Sequence, residues 1–395
     1  MRIGYLTYGL DRAPTGIGRY AKELLLAILA DTHGHEITIL STEQTLDPDL
    51  ANHCAVRNLP GCRTLPALMS AGNLLIGRAA HDLKLDMIHD PNGIAPFLAL
   101  PRRTGRVVTL HDAFPFVQPE SHNRLDNWRY RWFLPIALRR TDSVITVSNT
   151  SKEDLTRNLN LDDIDVAVIP EGVGRQFTGR GLGTDDQTLR QRYGISSPYV
   201  LYVGALNGRK NIARMLQAFR LAYRDHPEYA LVIAGKRQWK AEAIDHVMED
   251  PVLQRVVKFT GYVPDEDLPG IYRGATAFLF PSLYEGFGLP VLEAMACGTP
   301  VITSNISSMP EVAGNAAILV DPYDVSEMSA AIGHVLGDPA LHEALTNAGI
   351  NRASAFNWDA TAQQTMAHYE RVAATRARCE STVIQHQDRK SVNAD

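Results

Sequence analysis

Short apolar runs alternate with longer stretches of helical periodicity along almost the whole chain, and the alternation starts over once. The first series is RIGYLTYGL, EITILST, DMIHD, RVVTLHD, SVITVS and DVAVIP; the second is YVLYVGAL, YALVIAGK, VVKFTGY, AFLFPS, PVITS and AAILVD. Each run is apolar at successive positions rather than at every second one. Such segments are buried on both faces, as the strands of a parallel sheet covered by helices are. Two series predict an α/β protein of two Rossmann-like, doubly wound parallel-sheet domains, and 395 residues is a length that suits two. The halves share no sequence repeat, so the repetition is one of architecture.

Helices are read near 72–83, across 126–140, and at 238–250, 265–273, 290–297 and 325–335. Residues 174–196, rich in glycine and charge, read as the connection between the series. Domains are therefore placed at 1–180 and 181–357, with a helix over about 358–377 packing back on the first and a polar, disordered tail over 378–395. In open parallel sheets ligands bind outside the carboxyl ends of the strands. Two facing domains of this kind would form a cleft to which each contributes one reactant.

With 45% hydrophobic and 21% charged residues the chain can build sizeable cores, which excludes wholesale disorder. No apolar run reaches the ~18 residues of a membrane span. The start, MRIGYLTYGL, lacks the charged and apolar regions of a secretory signal, and the four cysteines show no CxxC spacing. A reduced cytoplasmic protein without a zinc site is expected. A net charge of −5 gives no case for a nucleic-acid partner. The balance is uneven, however. The stretch 124–140 interleaves Arg124, Arg129, Arg131, Arg139 and Arg140 with Trp128, Tyr130, Trp132 and Phe133. That pattern suits an anionic membrane surface or a lipid-phosphate acceptor, and equally a helix with an aromatic core stripe and solvated arginines.

The residues that carry chemistry lie at the ends of these runs. GIGRYA, from Gly16 to Ala21, is a glycine loop opening a helix, a form that lets backbone N–H groups approach an anion. It is displaced from its strand by DRAPT, and Glu36 begins the second strand instead of ending it. Both features disfavour a dinucleotide fingerprint and hence an NAD-dependent oxidoreductase. In the second half Glu285 follows the run AFLF, then Gly286, Phe287, Gly288 and Leu289 lead into a helix bearing Glu293, with Gly298 suited to cap its end. A glycine-flanked helix start favours a phosphate, and a carboxylate beside it suits sugar hydroxyls. Gly204, Arg209 and Lys210 follow the first strand of this half, where two adjacent cations could neutralise a diphosphate leaving group. Lys236 and Tyr262–Val263 end the next two strands, where backbone groups could read a nucleobase. His111 stands at the carboxyl end of VVTL in the first half.

The stretch EGFGLPVLEAMACGTPVITSNISSMPEVAGNAAILVDP, with Glu285 and Glu293 spaced E-x7-E, resembles the donor-site block of family 4 retaining glycosyltransferases, whose two-Rossmann architecture is called GT-B. TGIGRY, HDPN, VVTLHDAFPFVQPE, TVSNTSKEDL, VIPEGV and YVGALNGRKNI follow in that family's order. The resemblance covers nearly the whole chain outside roughly 41–80, 176–195 and the tail. It implies that Glu285 contacts the hydroxyls of the transferred sugar and Glu293 the ribose. It further implies that the amides of Gly288 and Leu289 hold the diphosphate with Arg209 and Lys210, that Gly16 closes on the donor phosphate, and that His111 lies at the reacting centre. Many members carry an arginine directly after the glycine of VG, where this chain has Ala205, so the partition of diphosphate contacts is open.

The resemblance thus implies sugar transfer from a nucleotide diphosphate donor with retention of configuration to a glycan or lipid-linked acceptor. No DxD motif ends a strand, so neither metal nor other cofactor is expected. The wording of HDPN, LHD and GRKN resembles the bacterial surface-polysaccharide subgroup, where mannose from GDP-mannose is common; UDP-glucose is the alternative donor. A nucleotide-sugar epimerase of the same architecture remains the nearest competing activity, and a non-catalytic sugar receptor a more distant one.

Overall fold

The computed structural model describes residues 1–11, 15–117, 129–179, 186–196, 198–237 and 242–392. It divides into two compact units, Met1–Pro170 with the segment from Trp358 onward, and Glu171–Asn357.

The first unit is built on seven parallel strands: β1 (Arg2–Thr7), β2 (Glu36–Ser41), β3 (Ala55–Asn58), β4 (Met87–Asp90), β5 (Gly105–Thr109), β6 (Ser143–Thr146) and β7 (Asp165–Val168). Their order is β3-β2-β1-β4-β5-β6-β7. Tyr5 of β1 therefore sits between Ile39 of β2 and His89 of β4. The chain winds outward in both directions from the β1–β4 pair, which makes the carboxyl ends of those two strands the switch point. The central strands β4, β5 and β6 are buried at every position, as their unbroken apolar character requires. β3 is an edge strand of four residues, AVRN, exposed throughout, which is why no apolar run announces it.

One face of this sheet carries Leu6, Leu40, Ile88, Val108 and Val144 against Ile76, Ala79 and Ala80 of helix Asn73–Asp82 and Leu155 and Leu159 of helix Asn149–Leu159. Helix Gly16–Ala30 buries Tyr20, Ala21, Leu24, Leu25 and Ile28, a stripe of helical spacing. The C-terminal helix Trp358–Val392 buries Trp358, Ala362, Met366, Tyr369 and Val372, again one stripe. Arg376 pairs with Asp142, and His368 Nε2 lies 2.7 Å from Ser143 Oγ. The backbone is helical to Val392, where the sequence reading has a disordered tail from 378. That stretch contains neither glycine nor proline, the two residues that most oppose a helix.

The second unit holds β8 (Tyr199–Val203), β9 (Ala230–Ala234), β10 (Val257–Gly261), β11 (Ala277–Phe280), β12 (Val301–Ser304) and β13 (Ile318–Val320). The order β10-β9-β8-β11-β12-β13 puts its switch point between β8 and β11. The units divide after Pro170, not at 180, and the segment 174–196 is more than a connection. Helix Asp186–Arg192 forms within it; Leu189 and Ile195 are buried, and Arg192 and Tyr193 both donate to Asp267. It reads as linker because its buried apolar residues among those described, Phe177, Leu189 and Ile195, are widely spaced and set among charges and glycines. The helix expected at 238–250 is interrupted: Glu242–Val247 is helical, and Asp250 caps a separate helix, Pro251–Val256, accepting from Val252 and Leu253 N–H, while residues 238–241 lie outside the described residues. The helix expected at 126–140 begins, within the described residues, as a wide turn, Arg129–Phe133, followed by Leu134–Leu138. Pro135 stands in the first turn of the latter, where its missing N–H is harmless.

Candidate active site

The switch point of the second unit gathers most of the residues singled out from sequence. After β8 the chain makes a tight turn, Gly208–Lys210, that ends on Asn211 in the left-handed region. Asn211 Nδ2 holds the turn by donating to the carbonyls of Pro281 (3.2 Å) and Pro322 (2.6 Å). After β11 comes the loop 281–288. The two meet through charge: Lys210 Nζ donates to Glu285 Oε1 at 2.5 Å and Arg209 Nη1 to Oε2 at 2.8 Å. Arg209 also donates to the Tyr284 carbonyl at 3.0 Å, and Lys210 Nζ lies 4.7 Å from the centre of the Phe280 ring.

Glu285 and Lys210 are each 7% exposed. Burial alone would raise the Glu285 carboxyl, but the charges of Arg209 and Lys210 outweigh it and hold the group below the ordinary value, ionised. Burial, and then the Glu285 charge, push the Tyr202 phenol well up, so the hydroxyl next to this cluster stays protonated. The trio carries one net positive charge in a nearly dry site. A diphosphate brought there meets two cations already in place, and a sugar hydroxyl meets an ionised acceptor.

The loop that presents Glu285 is held by two serines. Glu285 N–H donates to Ser307 Oγ at 3.0 Å, and Ser307 Oγ donates back to the Glu285 carbonyl at 2.8 Å. Ser308 Oγ lies 2.9 Å from the Glu285 carbonyl and 2.6 Å from that of Phe287. Gly288 then takes φ +123°, and a Cβ there would come within 2.5 Å of Met309 Cε. Only glycine lets the chain turn there into helix Leu289–Ala296, which has no side-chain cap at its start. The sequence reading starts this helix at Pro290; Leu289 is its first residue, and Gly298 follows its end at φ +78°. Gly286 and Phe287 are buried in the same loop, the Phe287 ring edge-on to Phe356. Glu293, on the helix, is 2% exposed and accepts from Tyr272 Oη at 2.9 Å.

A second cluster lies at the ends of β8, β9 and β10. A cavity of about 520 Å³ is lined by Leu206, Gly235, Lys236, Arg237, Ile244, Phe259 and Gly261. Gly204 and Gly235 cross so closely that a Cβ on Gly235 would sit 1.8 Å from the Gly204 carbonyl oxygen. Lys236 Nζ lies 4.9 Å from the centre of the half-exposed Tyr262 ring, while the Val263 side chain is buried.

His111 and Gly16 belong to the first unit. His111 Nε2 donates to the Pro91 carbonyl at 2.9 Å, and Ser151 Oγ donates to the His111 carbonyl at 3.0 Å. Pro91 is fixed in turn by Asp90, a buried carboxylate that accepts from Asn92 (2.9 Å), Ile94 (2.7 Å) and Ala95 (2.6 Å) N–H groups. Burial raises the Asp90 carboxyl, and those N–H bonds oppose the rise. Gly16 opens its helix behind Thr15, whose Oγ1 accepts from Gly18 N–H at 3.0 Å. Gly16 is exposed, and a Cβ on it would meet nothing within 4 Å.

Tyr202, Asn211, Tyr272, Ser307 and Ser308 were not singled out from sequence. The serines stand within the quoted block, after a strand, yet nothing in their spacing sets them apart from a polar turn. Among the described residues, no group of three or more His, Cys, Asp or Glu side chains is placed to hold a metal ion.

The two doubly wound units, with an ionised carboxylate locked between two cations at one switch point, define a GT-B type glycosyltransferase. The profile described as Glycosyltransferase Family 4 matches residues 14–177, and that of Glycosyl transferases group 1 matches residues 185–352. O-antigen chain mannosyltransferase B of Escherichia coli is 35% identical over 94% of this chain and 100% of its own length. Serotype-specific mannosyltransferase WbdA of E. coli is 30% identical over 67% of this chain and 33% of its own. Sucrose-phosphate synthase from Thermosynechococcus elongatus superposes with a TM-score of 0.77 at 25% identity, covering 95% of this chain and 99% of that one. The chain belongs to the group 1, family 4 glycosyltransferases, and it is a sugar-transferring enzyme.

Proposed function

We propose that the enzyme transfers mannose from GDP-mannose to a growing surface-polysaccharide chain, with retention of configuration and without a metal ion. The observation that carries this reading is the Arg209–Lys210–Glu285 cluster. Departure of the nucleoside diphosphate leaves positive character on the anomeric carbon and two or more negative charges on the leaving group. Arg209, Lys210 and the start of helix Leu289–Ala296 answer the second need in a water-poor site. Glu285 lies beside them as hydrogen-bond acceptor for sugar hydroxyls. With both of its oxygens held by cations it is a poor nucleophile, which favours attack from the face the diphosphate leaves, a phosphate oxygen taking the acceptor proton. Two fixed cations do the work a divalent ion would otherwise do. The cavity beside Lys236 has room for the nucleobase, Glu293 would hold the ribose, Gly16 would close on the phosphates, and His111 would face the sugar. Mannose is favoured because both E. coli relatives named above are mannosyltransferases.

The test is incubation with GDP-α-mannose and a mannose-terminated oligosaccharide in EDTA, with the product read by NMR. An α-linked product is expected. A β-linked product would refute retention, a requirement for added Mg²⁺ or Mn²⁺ would refute metal independence, and transfer from UDP-glucose alone would refute the donor.

The same reading places the protein on the inner face of an anionic membrane. Among the described residues no helix is long and apolar enough to cross one. Arg131, Trp132, Phe133, Ile136, Arg139 and Arg140 are all exposed, Trp132 by 63%, while Leu134, Ala137 and Leu138 point inward. Exposed aromatics flanked by arginines suit an anionic bilayer surface, where a lipid-linked acceptor would be met. Residues 118–128 and the Arg129 side chain lie outside the described residues. Flotation with vesicles containing phosphatidylglycerol should carry the protein up, and Trp132→Ala with Arg131→Ala should leave it below; equal flotation of both would refute the patch.

A further inference from the structure

A line of buried polar groups runs from the C-terminal helix to His111. Tyr369 Oη lies 2.5 Å from His89 Nδ1, and His89 Nε2 lies 2.8 Å from Thr109 Oγ1. Thr109 Oγ1 lies 3.2 Å from Tyr20 Oη, and the Tyr20 ring stands edge-on to the His111 ring, centroids 4.6 Å apart. Tyr369, His89, Thr109 and Tyr20 are each fully buried. Burial, with His368 and His111 adding to it, pushes the His89 imidazole down to about 3, so it is neutral and has one donor nitrogen and one acceptor nitrogen. Its two neighbours, both hydroxyls, can meet either arrangement, and the chain of bonds is complete in both directions.

Such a line is expensive where the surrounding core is apolar, since buried hydrogen bonds recover little more than the desolvation they require. Phenylalanine, leucine and valine would fill the same space. What the polar line does that an apolar one would not is fix position: the hydrogen bond to Thr109 anchors the tip of the Tyr20 ring, and packing holds its plane. The Tyr20 ring stands at 90° to the His111 ring and limits its tilt, while His111 Nε2–H stays on the Pro91 carbonyl, a group that can only accept. The Pro91 carbonyl therefore keeps a proton on Nε2, which in an uncharged imidazole is the Nε2–H tautomer.

We propose that Tyr369 and His89 are positioning residues for His111, acting through Thr109 and Tyr20 to fix its ring plane and tautomer. The consequence for sugar transfer rests on the reading that His111 faces the transferred sugar; the coupling itself does not. Trp358, at the other end of the same helix face, supports Tyr20 from a second side, ring centroids 5.8 Å apart. The C-terminal helix is thus part of the His111 apparatus, not only a cover for the sheet.

The test uses the full-length protein with ¹⁵N-labelled histidine. In the wild type the His111 nitrogens should show the separated shifts of a pure Nε2–H tautomer. In Tyr369→Phe, which keeps the ring and removes only the hydroxyl, they should move toward the averaged shifts of mixed tautomers. Turnover of GDP-mannose should fall about tenfold in kcat with KM within about twofold, as a loosened catalytic geometry gives. Tyr20→Phe should do the same and decides the question if Tyr369→Phe does not fold. Unchanged His111 shifts in the folded variants, with a shift confined to His89, would overturn the proposal. His111→Ala separates the two claims. If that variant keeps wild-type turnover, His111 does not face the sugar, while the NMR comparison still decides the coupling.

Discussion

Removing the charge of Lys210 tests how the Glu285 cluster is balanced. In Lys210→Met the side chain keeps its length and its packing against Phe280, but Glu285 Oε1 loses its 2.5 Å partner. The carboxylate is nine-tenths buried and would be left with Arg209 alone, bound through Oε2 at 2.8 Å. Stripping one partner from a buried ion pair costs about 3–5 kcal/mol, and the remaining arginine places this case at about 3. For a unit of this size that corresponds to a fall in Tm of about 6–12 °C, read by differential scanning calorimetry. Activity should fall further than stability explains, by about 10²–10³ in kcat, because a cation facing the leaving group is gone. The double variant Lys210→Met with Glu285→Gln removes both halves of the charge and should regain most of the lost Tm while remaining inactive. A Lys210→Met enzyme with wild-type Tm and wild-type kcat would refute the reasoning. A double variant less stable than the single one would show that the cost does not come from the uncompensated carboxylate.

Three further outcomes follow from the geometry. His89 titrates near 6.5 in an unfolded chain and at about 3 when folded, so the unfolded chain takes the proton first. Its contribution is therefore complete above pH 6.5 and is lost as pH falls toward 3, at up to about 1.4 kcal/mol per pH unit. Urea denaturation at pH 7 and pH 5 should show this slope, and His89→Gln should flatten it. Gly235→Ala forces a Cβ against the Gly204 carbonyl oxygen at φ +156° and should cost about 3 kcal/mol or more, visible as loss of soluble protein or of Tm. Ser308→Ala leaves the buried carbonyls of Glu285 and Phe287 without its hydroxyl and should lower stability by about 1–3 kcal/mol, with a higher KM for the donor; an unchanged KM would show that the loop keeps its shape without that bond.

Much of this was legible in the chain. The continuous apolar runs mark the central strands because those strands are covered on both faces, and AFLF and VVTL are buried at every described position. Edge strand β3 was not legible, since AVRN is exposed on all sides and has no pattern to show. Helix Asp186–Arg192 was hidden for a related reason: one buried leucine does not make a stripe. At the site, Glu285, Gly288, Arg209 and Lys210 stand out because charge and glycine at strand ends are conspicuous. Their mutual pairing was not legible, because the loops after β8 and β11 are brought together only by the strand order. Ser308 and Tyr369 escaped notice for the opposite reason. A serine in a turn and a tyrosine on an apolar helix face are ordinary residues, and only their partners give them a role.

The central claim is that this switch point is the seat of a nucleoside diphosphate sugar. It is tested most directly by calorimetric titration of GDP and GMP into the wild-type enzyme and into Lys210→Met. GDP should bind the wild type well above GMP, and the variant should lose most of that preference, because the second phosphate is what the cluster holds. Equal affinity for GDP in both proteins, or no preference for the diphosphate in either, would contradict the account.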